Sequence, residues 1–145
     1  DIFLDPFVGY GSIPKARTKY FPAKQIIASD KDRTFLPNLK QNIKGIEIEN
    51  WDALNLRDVQ DNSIDRIVTD PPWGIFIKDL NIEDFYAKML EEFARIIKPN
   101  GIVVILTSQK ELMNKLLSIS TEFNLNEKLD ILVSGKKSSI YKIIK

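Results

Sequence analysis

Residues 1–29 read DIFLDPFVGYGSIPKARTKYFPAKQIIAS, in which two apolar runs, Ile2-Phe3-Leu4 and Ile26-Ile27-Ala28, frame a Gly-x-Gly turn and a helical pattern. Short uninterrupted apolar runs bounded by turn residues read as strands buried on both faces. The first spans residues 1–4 and the second 25–29. Between them, residues 12–21 read as a helix, with Ser12 as N-cap, Pro14 tolerable in the first turn, and Ile13, Ala16 and Tyr20 on one face. Strand, glycine turn, helix, strand is the opening of a parallel sheet with right-handed crossovers.

The alternation continues to the end of the chain. Residues 34–43 predict a second helix with Leu36, Leu39 and Ile43 on its apolar face, and Gly45 suits its C-terminus. Residues 46–48 and 64–69 predict a third and a fourth strand. Residues 83–97 form the clearest helical pattern, with Phe85, Met89, Phe93 and Ile96 aligned, and Pro99-Asn100-Gly101 ends it before a fifth strand at 102–106. Residues 110–120 carry Leu112, Leu116 and Ile119 at helical spacing. The tail reads as a hairpin turning through Ser134-Gly135-Lys136-Lys137. The expected class is α/β, a three-layer Rossmann-like arrangement whose sheet is mostly parallel with an antiparallel C-terminal strand.

With 145 residues the chain reads as one domain, and 43% apolar with 28% charged residues is an ordinary globular balance. Neither cysteine nor histidine is present. Thiol nucleophiles, imidazole acid–base chemistry and zinc sites built on those residues are thereby excluded, and no metal is expected. The formal net charge is +1, far from the basic footprint of a domain that grips a polynucleotide alone. Apolar runs such as residues 101–106 are too short to span a bilayer and no charged-then-apolar leader precedes the first strand, so the expectation is a cytoplasmic protein without a membrane partner. The chain opens at Asp1 and enters a strand at once, which reads as a domain or fragment of a longer protein.

Ligands of open α/β sheets bind beyond the carboxyl ends of the strands, and residues able to hold one follow strands one to four. The first strand leads into Asp5-Pro6-Phe7-Val8-Gly9-Tyr10-Gly11. Gly9 and Gly11 allow a close backbone approach by a ligand, and the following helix offers free amide donors. A bare structural turn is the competing reading. A dinucleotide fingerprint would need glycine where Pro14 stands, which counts against NAD or FAD. Asp30, about 20 residues on, lies where a carboxylate can accept from two ribose hydroxyls, or can simply cap a helix. Asp52, in Trp51-Asp52-Ala53, could accept from an adenine amine while its neighbours read the ring edge, or serve as a turn residue.

Thr69-Asp70-Pro71-Pro72-Trp73-Gly74 follows the fourth strand. Two prolines remove two donors and stiffen the backbone, so the Asp70 carboxylate and the Pro71 carbonyl can be presented together as acceptors. A planar amine has two hydrogens for two acceptors, and the Trp73 ring can stack on the attached base for roughly 1–3 kcal/mol.

Together these segments resemble the class I S-adenosylmethionine-dependent methyltransferases that modify exocyclic amines, marked by an Asp-Pro-Phe-x-Gly-x-Gly loop and a later Asn/Asp-Pro-Pro-aromatic tetrapeptide. Asp-Pro-Phe-Val-Gly paired with Thr-Asp-Pro-Pro-aromatic-Gly is similar, more narrowly, to the RNA methylase family that includes tRNA guanine-N2 methyltransferases whose catalytic domain follows a THUMP domain. The resemblance spans essentially the whole chain. It implies a Rossmann-like methyltransferase fold, and S-adenosylmethionine held through its methionine part by Asp5, Pro6, Phe7, Gly9 and Gly11. Asp30 with the adjoining Lys31 would bind the ribose, and Asp52 with Ala53 the adenine. Asp70, Pro71, Pro72 and Trp73 would hold the target base. The implied substrate is a guanine amine of tRNA or rRNA, gripped by a separate or missing N-terminal domain. Pro14, Lys15 and Arg17 stand where many relatives carry apolar or acidic residues, and Trp73 replaces the commoner Tyr or Phe.

Other readings stay open. An adenine-N6 methyltransferase of DNA or RNA would use the same acceptor pair. A protein Gln or Asn methyltransferase uses a similar tetrapeptide, typically with Asn first. A non-catalytic cofactor-fold subunit that only binds RNA is the alternative from a different class. The mRNA adenine-N6 enzymes place the tetrapeptide before the glycine loop, the reverse of the order here.

Overall fold

The computed structural model describes residues 1–74 and 81–145. The elements, in chain order, are β1 (Ile2–Asp5), α1 (Ser12–Tyr20), β2 (Gln25–Ser29), a 3-10 turn (Arg33–Phe35), α2 (Leu36–Asn42), β3 (Glu47–Glu49) and β4 (Ile64–Thr69). They continue with α3 (Ile82–Ile96), β5 (Ile97–Thr107), α4 (Lys110–Ile119), β6 (Asn124–Val133) and β7 (Lys136–Ile144). The strands form one seven-stranded sheet in the order β3-β2-β1-β4-β5-β7-β6. Pairing is parallel from β3 to β5 and antiparallel at β5–β7 and β7–β6. The expected α/β class holds, with a closing hairpin that lays β7 antiparallel between β5 and the edge strand β6.

Register divides the sheet into two faces. Leu4, Ile27, Ile67, Val103 and Ile143 are successive cross-strand partners. They share a face with the buried stripe of α3, including Tyr86, Met89, Leu90, Phe93 and Ile96, and with Met113 of α4. On the other face Ala28 packs with Val8, Leu39 and Ile43, which brings α2 down on the sheet. The helices α1 and α2 therefore lie on one side and α3 and α4 on the other, the three-layer solution that buries both faces of a parallel sheet.

The α3 helix starts where Asn81 accepts the Asp84 amide at 3.1 Å, with Glu83 and Asp84 in the first turn where acidic groups oppose the helix dipole. The β6–β7 turn carries Ser134 at φ 49° and Gly135 at φ 79°. Positive φ at both central residues is the type I′ geometry that matches strand twist.

Four details differ from the sequence reading. The N-cap of α1 is Gly11, in the left-handed region at φ 85°, and Ser12 is the first helical residue. Pro14 is the buried residue of α1, while Tyr20 is 60% exposed. Ile13 and Ala16 instead border an open apolar groove of about 390 Å³ floored by Phe3 and Val68. The second helix begins as a 3-10 turn, with Asp32 accepting from the Thr34 amide, because Pro37 lacks the donor a longer α-helix would use. Finally, β5 starts at Ile97 rather than 102. Ile64 pairs with Ile97 and Arg66 with Ile102, so residues 98–101 bulge out of the ladder, with Asn100 at φ 62°.

Candidate active site

The sheet reverses its order at β1, with β2 and β4 on either side. The carboxyl ends of β1, β2 and β4 are thus neighbours, and each delivers an aspartate: Asp5, Asp30 and Asp70. This is the switch point at which open α/β sheets bind ligands.

Asp5 is 1% exposed. Its Oδ1 accepts from the Thr69 hydroxyl at 2.8 Å and the Phe7 amide at 3.3 Å, whereas the buried Oδ2 has no partner among the described residues. Loss of hydration drives its carboxyl from the ordinary 3.8 up to about 7. The bonds from Thr69 and Phe7 pull it down, and the nearby Asp30 and Asp70 push it up. The Ser29 hydroxyl at the end of β2 is likewise buried without a partner among the described residues. Buried polar atoms are almost always hydrogen-bonded, so two such orphans beside one another's strands mark a place where a ligand belongs.

Asp30 organises the turn. Its Oδ2 accepts from the Gly9 amide at 3.0 Å and its Oδ1 from the Asp32 amide at 2.9 Å. A carboxylate has about four acceptor positions, so two remain for hydroxyl groups. The Asn50 amide ties the loops together by donating to the Asp30 and Lys31 carbonyls at 2.8 and 3.1 Å. Lys31 pairs with Asp52 at 3.1 Å, an exposed ion pair of the kind that contributes 0–1 kcal/mol and opens readily. Asp52 also serves the turn, its Oδ1 accepting from the Leu54 amide at 3.0 Å. Ala53 is 2% exposed, so backbone and methyl alike are nearly covered.

The two glycines divide their work. A Cβ on Gly9, at φ 47°, would meet nothing within 4 Å, which leaves room for a ligand against the backbone. A Cβ on Gly11 would sit 2.5 Å from Leu39 Cδ2 and 2.6 Å from Ile43 Cδ1. Gly9 thus leaves open space where a Cβ would stand, whereas the space beside Gly11 is filled by Leu39 and Ile43, which seat α2 against the turn. Pro6 is buried, and Phe7 lies half-buried with its ring 5.8 Å from that of Phe85 in α3.

At the end of β4, Asp70 is exposed, Pro71 buried, and Pro72 and Trp73 half-buried. The indole of Trp73 donates to Asp70 Oδ1 at 2.8 Å, so the ring leans on its own motif's carboxylate. Removal of hydration by the surrounding protein raises the Asp70 carboxyl, and the indole N–H opposes that rise. Tyr86 donates to the Pro72 carbonyl at 3.2 Å and Gln109 Nε2 to the Trp73 carbonyl at 2.6 Å. No hydrogen bond reaches the Pro71 carbonyl among the described residues. The aspartates do not form a metal-holding group among the described residues.

Of the sequence-designated residues, Phe7 bonds Asp5 through its amide, Asp30 and Asp70 lie near enough to act on its charge, and Asp30 holds Gly9. Reasoning from sequence missed Ser29, Asn50, Tyr86, Thr107 and Gln109. Tyr86 had an available signal, since Tyr86, Leu90 and Phe93 repeat at helical spacing. The residues present fit S-adenosylmethionine: the buried Asp5 carboxyl oxygen has no donor among the described residues, which the ammonium of the methionine part could supply, and open space lies against the Gly9 backbone.

Comparison with known proteins identifies the family. The UPF0020 family model, an RMKL-like methyltransferase domain, matches residues 12–133. A probable tRNA (guanine(10)-N2)-dimethyltransferase of Methanothermococcus thermolithotrophicus is 30% identical over 122 residues, covering 76% of this chain and 72% of that protein. The crystal structure of TrmN from Thermus thermophilus superposes with a TM-score of 0.84 at 25% identity, over 99% of this chain and 43% of that one. NSun6 from Pyrococcus horikoshii, solved with SFG, shares the fold at a TM-score of 0.80 and 18% identity, over all of this chain and 48% of its own. The chain accordingly spans under half the length of these two solved structures. It belongs to the RMKL-like methyltransferase domain family and is an S-adenosylmethionine-dependent methyltransferase.

Proposed function

We propose that this chain methylates an exocyclic amine of an RNA base, with guanine N2 of tRNA or rRNA as the target. The observation that carries the reading is the Asp70-Pro71-Pro72-Trp73 segment at the end of β4, beside the Asp5 carboxylate with its unpartnered oxygen. The tRNA guanine-N2 relative supports the choice of base.

When bound, S-adenosylmethionine supplies an electrophilic sulfonium methyl. Asp5 Oδ2 would accept a hydrogen bond from its ammonium, Asp30 would accept from its ribose hydroxyls, and Asp52 with Ala53 would meet its adenine edge. The exposed Lys31–Asp52 ion pair would have to open to free Asp52 for that contact. The Asp70 carboxylate and the Pro71 carbonyl accept the two hydrogens of the target amine. An aromatic amine is a weak nucleophile because its lone pair is delocalised; fixing its hydrogens on two acceptors turns that lone pair out of conjugation and stabilises positive charge on nitrogen. A well-placed acceptor of this kind contributes about 3 kcal/mol, and alignment of the reacting atoms removes roughly 7–11 kcal/mol in favourable cases. The base must leave its stack to reach the pocket, so an unpaired or flipped nucleotide is the substrate. With a net charge of +1, gripping of the polynucleotide falls to a domain outside these residues.

The test is incubation of the full-length protein with labelled cofactor and, separately, tRNA, rRNA and DNA, followed by mass spectrometry of the nucleosides. The expected product is N2-methylguanosine in RNA. Label in adenine N6, or in DNA alone, refutes the choice of base or polymer.

A further inference from the structure

The Asp70-Pro71-Pro72-Trp73 segment has few means of being held. Sheet pairing of β4 with β5 ends at Thr69, opposite Ile105. Beyond it Pro71 and Pro72 lack amide hydrogens, so only carbonyl groups remain as backbone handles. Two of the three consecutive carbonyls are taken. Tyr86 of α3, 0% exposed, donates to Pro72, and Gln109 at the N-cap of α4 donates to Trp73. The Pro71 carbonyl, assigned above to the substrate, receives no hydrogen bond among the described residues.

Behind these contacts the donors form a chain of one polarity. The Gln109 backbone N–H donates to Thr107 Oγ1 at 3.0 Å, and Thr107 Oγ1 lies 2.7 Å from the Tyr86 hydroxyl, with Thr107 0% exposed. An amide can only donate and a carbonyl can only accept. Since Tyr86 spends its single proton on Pro72, the Thr107 hydroxyl must donate to Tyr86, and its own oxygen is free to accept from Gln109. Every hydroxyl then donates once and accepts once, and buried chains of this kind strengthen one another.

We infer that Tyr86, Thr107 and Gln109 are positioning residues for methyl transfer, a clamp that occupies the Pro72 and Trp73 carbonyls and thereby aims Asp70 and the Pro71 carbonyl at the amine. The inference rests on the function proposed above. Displacement of a reacting group by about 1 Å can reduce the rate on the order of a hundredfold, so a loosened clamp lowers kcat with little change in cofactor affinity.

Tyr86→Phe and Thr107→Val each remove one hydroxyl and preserve shape. Each is expected to lower kcat about tenfold to a hundredfold, while the Kd for S-adenosylmethionine by calorimetry stays within about twofold of wild type. The double variant should be no slower than the slower single one, the non-additivity of a shared relay, and Thr107→Ser should recover most of the rate. A second readout needs no turnover: the indole N–H resonance of Trp73, assigned through Trp51→Phe, should exchange with solvent faster in Tyr86→Phe and Gln109→Ala. Should Tyr86→Phe not fold, Thr107→Val against Thr107→Ser carries the same test. A kcat within twofold of wild type in both hydroxyl deletions, or losses that multiply in the double variant, overturns the clamp. If the wild-type protein methylates no nucleic acid, the proposed function is what fails, and indole exchange alone then decides the clamp.

Discussion

Replacing Asp5 by asparagine should stabilise the ligand-free protein at high pH far more than at low pH, while destroying cofactor binding. A carboxyl that is 1% exposed and raised from 3.8 to about 7 keeps its proton in the folded chain at pH values where the unfolded chain has released it. Between about pH 4 and pH 7 the folded state therefore binds more protons than the unfolded state. Stability falls as pH rises through that window, and the full penalty is present above about pH 7. At 1.36 kcal/mol per pKa unit, the gap between 3.8 and about 7 corresponds to a ceiling of about 4 kcal/mol at pH 8, and to about 1.5 kcal/mol at pH 5. Asparagine has the same shape and no charge at either pH. Its own packing and hydrogen-bond changes cancel when the two pH values are compared.

The assay is urea unfolding of wild type and Asp5→Asn at about pH 5 and about pH 8 in matched salt, read as the change in their stability difference. The expected change favours the variant by up to about 2.5 kcal/mol on going to the higher pH. In parallel, S-adenosylmethionine at 100-fold over its Kd should stabilise wild type by about 2.7 kcal/mol and leave the variant unmoved. A stability difference that does not vary with pH, or a variant that binds the cofactor as wild type does, would refute the assignment of Asp5 as a strained, ligand-ready carboxylate.

Asp70→Ala should keep cofactor binding and lose nearly all turnover, on the order of a hundredfold to a thousandfold in kcat; near wild-type rates would contradict its role. Trp73→Phe retains the ring and deletes the indole N–H that holds the Asp70 carboxyl down. The carboxyl should rise further, so the acid limb of the kcat–pH profile should move to higher pH, and an unmoved limb would show that Asp70 is not required in its ionised form. Gly11→Ala, with contacts of 2.5 and 2.6 Å to Leu39 and Ile43 at φ 85°, should destabilise the fold by about 1–3 kcal/mol. Gly9→Ala meets no atom within 4 Å and should chiefly weaken cofactor binding, measurable by calorimetry against thermal unfolding.

Local pattern was enough for the order of elements, because apolar runs, proline and glycine act within a few residues of themselves. It was not enough where a distant strand decides. Ile97 joins β5 only because Ile64 is there to pair with it, across the bulge at residues 98–101. Ile13, Ala16 and Tyr20 satisfy helical periodicity, yet the groove over Phe3 and Val68 leaves that side of α1 partly open. In the site the same division applies. Asp5, Asp30 and Asp70 were legible because each ends a strand, and strand ends are recognisable in sequence.

The groups that make those aspartates useful were hidden for a physical reason. Thr69 and Thr107 close β4 and β5 and Tyr86 lies within α3, positions where a hydroxyl leaves periodicity unchanged and its partner is 64, 21 or 14 residues away. The consequence is a site built in two tiers. Carboxyl groups stand at strand ends, Asp5 buried and Asp30 and Asp70 nearer the surface, and neutral hydroxyls buried behind them fix direction at little electrostatic penalty. Asp5 and Asp30 should therefore govern whether the cofactor binds, and Asp70 with the Tyr86 and Thr107 hydroxyls behind it how well the base reacts. A Thr69→Val variant sharpens the distinction, because it removes the 2.8 Å bond that holds the Asp5 carboxyl down. The carboxyl should rise, and cofactor affinity should fall at neutral pH but return as pH is raised. An affinity loss that persists unchanged at high pH would place Thr69 in the packing of the site instead of its charge.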